Sequence, residues 1–205
     1  DMLLKGDGDQ AEHIGFGSTL SNDHNATRQF DFMLSNPPYG KSWKTDAEKM
    51  GGKKDILDTR FNIYLENGEQ LAMIPRTSDG QLLFLLNNAA KMKKDTPLGS
   101  RIAEVHNGSS LFTGDAGSGE SNARRYLIES DLVEAIIALP ENMFYNTGIG
   151  TYIWVLSNKK EDRRKGKIQL IDATAMKSPL RKNMGKKNCE FTEEIRAEID
   201  RKSVV

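Results

Sequence analysis

Short apolar runs alternate along this chain with stretches whose apolar residues recur at helical spacing. Runs that predict buried strands occupy residues 30–34, 101–106, 132–139, 150–156 and 167–171. Helical patterns occupy residues 81–93, 122–129 and 192–199. Strands and helices that alternate in this way form a mostly parallel sheet with helices on both faces. The pattern therefore predicts an α/β fold.

The helices and the loops differ in how clearly the sequence marks them. Residues 81–93 carry leucine, alanine and methionine on one side, which predicts a helix with one buried face. Thr192 precedes the pattern at 192–199 and is predicted to be the N-cap of that helix. The polar, glycine-containing stretches 40–60 and 107–122 are predicted to be loops.

Composition limits the kinds of site that this chain can hold. Its 205 residues carry 29 basic and 29 acidic side chains, so a face that binds nucleic acid has to be local or supplied by a partner. The single cysteine, Cys189, excludes an internal disulfide. His13, His24 and His106 form no ligand pattern with it, so no metal site is predicted. No apolar run approaches the roughly 20 residues of a membrane-spanning helix.

The stretch SNPPYG, residues 35–40, directly follows the first predicted strand. Ligands of open α/β sheets bind beyond the carboxyl ends of strands, so this turn lies where a site is expected. Pro37 and Pro38 fix the backbone and lack N–H donors, which leaves rigid carbonyl acceptors. Asn36 adds a side-chain acceptor, and Tyr39 adds a flat ring.

Two acceptors beside a flat ring match the exocyclic amine of a planar base. Acceptors that bind the N6 hydrogens of adenine favour a more tetrahedral nitrogen, whose lone pair is then free to attack an electrophilic methyl group. A base in a duplex has to flip out to reach such a pocket. Two simpler interpretations stay open: a turn after a strand with Tyr39 packed, and a proline-rich docking peptide.

Several segments together resemble a known family. FDFMLSNPPYG resembles motif IV of the amino-group DNA methyltransferases that use S-adenosylmethionine. The block from residue 101 to residue 160 resembles the methylation (M) subunit of type I restriction-modification systems, as do GQLLFLLNNAAKMK, RKGKIQLIDA and DMLLKGD. The resemblance covers roughly residues 1–199. It implies a Rossmann-like methyltransferase fold and an adenine-specific DNA methyltransferase, which transfers a methyl group from S-adenosylmethionine directly to adenine N6 in a bipartite target.

The resemblance also implies roles for single residues. Asn36 and the carbonyl of Pro37 accept hydrogen bonds from adenine N6. Pro38 completes the rigid motif, and Tyr39 stacks on the flipped base. Phe144, in ENMFYNTG, resembles the family position that contacts the other face or edge of the base. The alternative is that Phe144 is a core residue.

The resemblance implies several partners. They are DNA with a flipped adenine, a specificity (S) subunit and a second M subunit. A restriction (R) subunit is a possible further partner. It implies the cytoplasm of a prokaryote and no membrane partner.

The cofactor half of the family pattern is absent. Its glycine-rich motif and the acidic residue that binds the ribose are both expected before Asp1. These 205 residues are therefore expected to bind S-adenosylmethionine weakly or not at all and to be inactive alone. FGSTL, residues 16–20, lacks the flanking strand and helix of a cofactor loop. GDAGSGES, residues 114–121, could bind an anion at a helix N-terminus, although a flexible loop is the simpler interpretation.

The predicted division of the chain has three parts. Residues 1–175 form the C-terminal part of the catalytic domain, residues 176–199 an extension with a helix, and residues 200–205 a tail without interpretation. Two other functions stay open. One is methyl transfer to the amide of a protein glutamine, which also uses an NPPY pocket and which the block at 101–160 opposes. The other is an inactive interaction fragment without the cofactor half.

Overall fold

A computed structural model describes residues 14–65, 67–145 and 147–204 of the chain. The segment DMLLKGD lies outside these ranges. Within them the strands are β1 (Phe32–Ser35), β2 (Asn62–Tyr64), β3 (Gln70–Ala72), β4 (Arg101–Asn107), β5 (Val133–Ala138), β6 (Thr151–Ser157), β7 (Gln169–Asp172), β8 (Ser178–Met184) and β9 (Lys187–Glu190). The helices are α1 (Lys44–Lys49), α2 (Gln81–Ala90), α3 (Ser109–Phe112), α4 (Gly119–Glu129) and α5 (Glu193–Val204).

Five strands form one sheet in the order β1-β4-β6-β5-β7. β1 runs parallel to β4, and β5 runs parallel to β7, whereas β6 is antiparallel to both of its neighbours. Four strands therefore share one direction, and their carboxyl ends lie at one edge of the sheet, which we call the carboxyl edge. The predicted α/β fold with a mostly parallel sheet is confirmed.

One face of the sheet packs against α2 and forms the main core. Side chains alternate along a strand, so every second residue of β4 faces this core, and Ile102, Glu104 and His106 are buried. Leu85 of α2 and Trp154 of β6 belong to the same buried cluster. The helix predicted from the apolar pattern at 81–93 is therefore confirmed over residues 81–90, together with its buried side, and it ends three residues earlier than predicted.

The opposite face is covered at one end only. Ile199 of α5 packs with Ile171 of β7, and Ile137 of β5 packs against them. Helices on both faces were predicted and are observed. At the β1 end of this same face the sheet is open, since Phe32 is 72% exposed and Leu34 is 87% exposed.

Some short elements lie where loops were predicted or where no element was expected. α1 lies within residues 40–60 and α3 within residues 107–122, so the prediction of continuous loops there was wrong. The β2-β3 hairpin was not predicted. α1 has Ala47 as its buried residue, and α3 has Ser110. Elements this short contain too few residues to show a hydrophobic period. Their conformation depends on tertiary contacts, which the sequence pattern does not reveal.

The two remaining helices begin at a cap. The hydroxyl of Ser118 accepts a hydrogen bond from the amide of Ser121 at 3.3 Å. α4 therefore begins at Gly119, three residues before the predicted start at residue 122. The amide of Ile195 donates to Thr192 Oγ1 at 3.4 Å, which confirms Thr192 as the cap of α5. α5 continues to Val204 and so includes most of the predicted tail. The division at residue 175 stays a prediction. Among the residues that the structure describes, none of the helices could span a lipid bilayer.

Candidate functional site

The NPPY turn leaves β1 at the carboxyl edge of the sheet. Pro37 is buried, Tyr39 is half-buried, and Asn36 is exposed. In the described part of the chain no hydrogen bond engages the side chain of Asn36 or the phenol of Tyr39. Burial raises the pKa of the Tyr39 phenol, so the ring is neutral at physiological pH. The two groups that the sequence assigns to a ligand are therefore uncommitted.

The backbone after the turn is tied to a later loop, residues 76–80. The Gly40 amide donates to Asp79 Oδ1 at 3.3 Å. The Trp43 amide donates to the carbonyl of Thr77 at 3.0 Å, and the Trp43 indole N–H donates to the carbonyl of Arg76 at 2.9 Å. Trp43 is 4% exposed, so its two bonds are largely shielded from water, whereas the Gly40 bond is exposed. This loop therefore fixes the far side of the NPPY turn.

A buried amide connects this loop to the end of β4. Gln81 Nε2 lies 2.7 Å from Asp79 Oδ2, Asn107 Oδ1 and Ser109 Oγ. The Asn107 amide donates to Gln81 Oε1 at 3.0 Å, and Ser109 Oγ donates to Asp79 Oδ2 at 2.7 Å. Gln81 is 1% exposed. The turn after β1 and the turn after β4 are thus held by one polar network, which sequence reasoning missed.

The N-terminus of α4 is occupied by the protein itself. Glu120 Oε1 accepts from the amide of Arg76 at 2.9 Å. A Cβ built on Gly119 would lie 1.8 Å from the carbonyl oxygen of Ile74, so this end of the helix abuts backbone. Arg124 donates to the carbonyl of Thr113 at 2.7 Å, in a contact within the chain. The structure thus gives no support to an anion site in GDAGSGES.

Phe144 lies in the loop 139–150, which connects β5 to β6 at the carboxyl edge. Its side chain is half-buried, and its backbone bridges to Thr147. β1 and β5 are separated by two strands, which corresponds to about 14 Å. Within the described ranges no hydrogen bond joins Phe144 to Asn36 or Tyr39, and the rings of Phe144 and Tyr39 are not paired. The structure brings the NPPY residues together and leaves Phe144 at the same edge, apart from them.

A cavity of about 390 Å³ lies beside β1, and residues of the 15–25 segment form one of its walls. Asp23 supplies the carboxylate of its lining, and this group is committed to Lys91 at 2.7 Å and Arg60 at 3.2 Å. Arg60 also donates to Asn87 Oδ1 at 2.8 Å. No free carboxylate in the described lining could bind ribose hydroxyls. These residues do not fit a complete site for S-adenosylmethionine.

A second depression, of about 360 Å³, adjoins the turn itself. It is open and mostly apolar, and it lies on the uncovered face of the sheet. Its lining consists of Leu34, Ser35, Asn36, Ala103, Val105 and Ile153. Asn36 is the amide of this lining. A planar ligand held by that amide would therefore have apolar surface beside it.

The chain matches known families over almost its whole length. The model of the N-6 DNA methylase family matches residues 1–202. The MjaVII methylase subunit of a type I restriction enzyme from Methanocaldococcus jannaschii is 29% identical over 177 residues, which are 85% of this chain and 27% of that protein. The MpnII methylase subunit from Mycoplasma pneumoniae is 30% identical over 145 residues, 71% of this chain and 23% of that protein. The chain thus spans about a quarter of the length of these curated relatives.

Solved structures are similar as well. The methyltransferase subunit of a type I restriction-modification system from Streptococcus thermophilus has a TM-score of 0.74 and 25% identity, over 99% of this chain and 38% of that chain. The M protein of the type I restriction enzyme EcoKI has a TM-score of 0.56 and 21% identity, over 90% of this chain and 32% of that chain, and shows the same fold. The resemblance to type I M subunits is confirmed. Since the family match extends over nearly all of its residues, the chain belongs to the N-6 DNA methylase family.

Proposed function

We propose that this chain is part of the M subunit of a type I restriction-modification system, which transfers a methyl group from S-adenosylmethionine to adenine N6 in DNA. The observation that carries the proposal is that the uncommitted amide of Asn36 and the half-buried ring of Tyr39 share one turn, whose following backbone is hydrogen-bonded to the loop 76–80. The curated relatives are methylase subunits of type I restriction enzymes, and they favour DNA over a protein glutamine as the acceptor.

The described residues act on the methyl acceptor. Asn36 Oδ1 and the Pro37 carbonyl accept the two N6 hydrogens, which draws the nitrogen lone pair out of conjugation and towards the methyl donor. Pro38 keeps the acceptors in a fixed frame, because its ring restricts the backbone. A frame that is already ordered loses little entropy when the base binds. The methylated nitrogen is positively charged, and it becomes neutral when one of its two hydrogens leaves as a proton to solvent.

Tyr39 holds the plane of the base. A stacked aromatic ring contributes about 1–3 kcal/mol per base and offsets part of the cost of flipping. Phe144 is proposed as a second contact, to the other face or edge of the base. The two strands between β1 and β5 mean that this contact requires the loop 139–150 to reach across the edge.

The remaining parts of the proposal belong to the whole protein. S-adenosylmethionine supplies the methyl group, and the residues that bind it are expected before Asp1. A specificity subunit would select the DNA target, and a second M subunit and a restriction subunit would complete the assembly in a prokaryotic cytoplasm. An inactive interaction fragment remains the alternative for this chain by itself.

The test uses the full-length gene product with its specificity subunit. We would follow transfer of a labelled methyl group to DNA for the wild type, Asn36→Ala and Tyr39→Ala. We expect transfer to adenine N6 that collapses in Asn36→Ala and weakens in Tyr39→Ala. Tyr64→Ala is the matched control, since Tyr64 is 74% exposed on β2. If transfer survives both substitutions in the turn, NPPY is a structural turn and the proposal fails.

A further inference from the structure

The β8-β9 hairpin concentrates positive charge in a chain whose formal net charge is zero. Residues 177–190 hold one acidic residue, Glu190, and five basic residues, so their net charge is +4. The basic residues are Lys177, Arg181, Lys182, Lys186 and Lys187. The other residues together must carry −4. This asymmetry is the kind of local basic face that a neutral chain needs in order to bind a polyanion.

The hairpin cations have no partners within the described ranges. Lys177, Arg181, Lys182 and Lys186 are exposed, and none of these side chains makes an ion pair or hydrogen bond there. Many cations elsewhere are paired: Lys93 with Asp31 at 2.6 Å and Lys165 with Asp162 at 2.6 Å, for example. Like charges on a short hairpin repel one another, so this arrangement costs stability in the free protein. A bound polyanion would remove that cost.

The hairpin is docked on the loop that carries Phe144. The Lys186 amide donates to the carbonyl of Tyr145 at 2.9 Å, and the Asn188 amide donates to the carbonyl of Asn142 at 3.1 Å. The Gly185 turn has a φ of 60°, and a Cβ there would lie 2.8 Å from the Tyr145 oxygen. Only glycine allows this approach without strain. The basic turn is therefore held at the carboxyl edge, where the NPPY turn also lies.

We propose that the β8-β9 hairpin binds the phosphate backbone of duplex DNA beside the site of base flipping. This inference rests on the proposed function, since it takes DNA as the substrate. β8 spans seven residues, or roughly 20 Å, which is long enough to follow several phosphates spaced by one charge per about 1.7 Å of duplex. Phosphate contacts carry no sequence information, which suits a subunit whose target is chosen by another.

The experiment compares two double variants of the full-length protein in complex with its specificity subunit. Lys182→Gln/Lys186→Gln removes two charges from the hairpin. Lys94→Gln/Lys167→Gln removes two exposed lysines whose side chains also lack described partners. These lysines precede the amino ends of β4 and β7, at the opposite edge. Affinity for target duplex DNA is measured as a function of salt concentration, and methyl transfer is measured at saturating DNA.

We expect the slope of log affinity against log salt to fall by about 2 in the hairpin variant, since each lost phosphate contact lowers it by about 1. The control variant should keep the wild-type slope. Methyl transfer at saturating DNA should match the wild type in both. An unchanged slope in the hairpin variant overturns the inference. The inference also fails if the variant keeps its affinity for DNA but no longer binds the specificity subunit, because the hairpin would then be a protein interface.

Failure of the proposed function looks different. In that case neither the wild-type complex nor the hairpin variant transfers a methyl group to adenine. A wild type that methylates DNA, together with a hairpin variant that binds DNA with the wild-type salt slope, overturns the hairpin inference alone.

Discussion

The amide of Gly40 donates a hydrogen bond to the carboxylate of Asp79, 39 residues further along the chain, at 3.3 Å. Gly40 ends the NPPY turn, and Asp79 is bonded in turn to Gln81 and Ser109. The position of the turn therefore depends on polar groups that lie far from it in sequence. These groups lie outside the NPPY turn and order the backbone that follows it.

The first prediction concerns Gln81. Gln81→Leu keeps a similar volume but leaves Asp79, Asn107 and Ser109 without their shared partner, which should cost about 1–3 kcal/mol of unfolding free energy. Denaturant unfolding of the full-length protein measures this loss. Gln70→Leu, on the exposed side of β3, should stay within about 0.5 kcal/mol of the wild type. Equal stability of the two variants would show that the buried network contributes little.

The second prediction concerns Gly119. Gly119→Ala places a methyl group 1.8 Å from the carbonyl oxygen of Ile74, and backbone cannot turn away as a side chain can. We expect a loss of about 3 kcal/mol or more and a lower melting temperature. Gly150→Ala meets no atom within 4 Å and should be nearly neutral. A stable Gly119→Ala protein would mean that α4 can shift away from the 74–76 segment freely.

The third prediction separates the ring of Tyr39 from its hydroxyl. The phenol has no partner in the described structure, so Tyr39→Phe should keep most of the methyl-transfer rate, whereas Tyr39→Ala loses the stacking surface. Burial raises the pKa of this phenol above its ordinary value near 10, so it stays protonated from pH 6 to pH 9. The pH profiles of wild type and Tyr39→Phe should then be parallel over that range. A basic limb that vanishes in Tyr39→Phe would give the hydroxyl a chemical role.

The fourth prediction concerns Asp58. Its burial alone would raise the pKa of the carboxyl, but the hydrogen bonds and the positive charge of Arg60 outweigh burial, and the pKa lies below its ordinary value. A carboxyl whose pKa is depressed in the folded protein stabilises that protein at pH values above the pKa of the unfolded state, about 3.9. This stabilisation is lost as the pH falls through the lower pKa of the folded state. Asp58→Asn should therefore destabilise most at pH 7 and progressively less below about pH 4.

The free energies of unfolding of wild type and Asp58→Asn, measured at pH 7 and at pH 3, check the Asp58 prediction. Asp55→Asn makes the same charge change at an exposed residue three positions earlier, and it should cost less at pH 7. A cost of Asp58→Asn that is the same at pH 7 and at pH 3 would contradict the coupling to Arg60.

Sequence reasoning located the sheet and the NPPY turn because both are local patterns. β1 and the turn follow from one apolar run and two prolines, and α2 follows from its leucine period. The network around Gln81 could not be predicted, because Asp79 and Gln81 lie in one segment and Asn107 and Ser109 in another, and only the fold brings the two segments together. The polar residues directly after β4 were the available signal. The roles of Asn36, Tyr39 and Phe144 in the reaction stay predictions.

The pairing of β1 with β4 has a consequence for how the protein is made. Ser100, which directly precedes β4, donates to the carbonyl of Phe30 at 2.6 Å, and the two residues are 70 positions apart. A ribosome that adds 5–20 residues per second takes roughly 4 to 14 seconds to cover that distance. Throughout that interval β1, with Phe32 and Leu34, has been synthesised but β4, the strand that it pairs with, has not. The strand that precedes the NPPY turn therefore becomes ordered late, and chaperones can bind it during that interval.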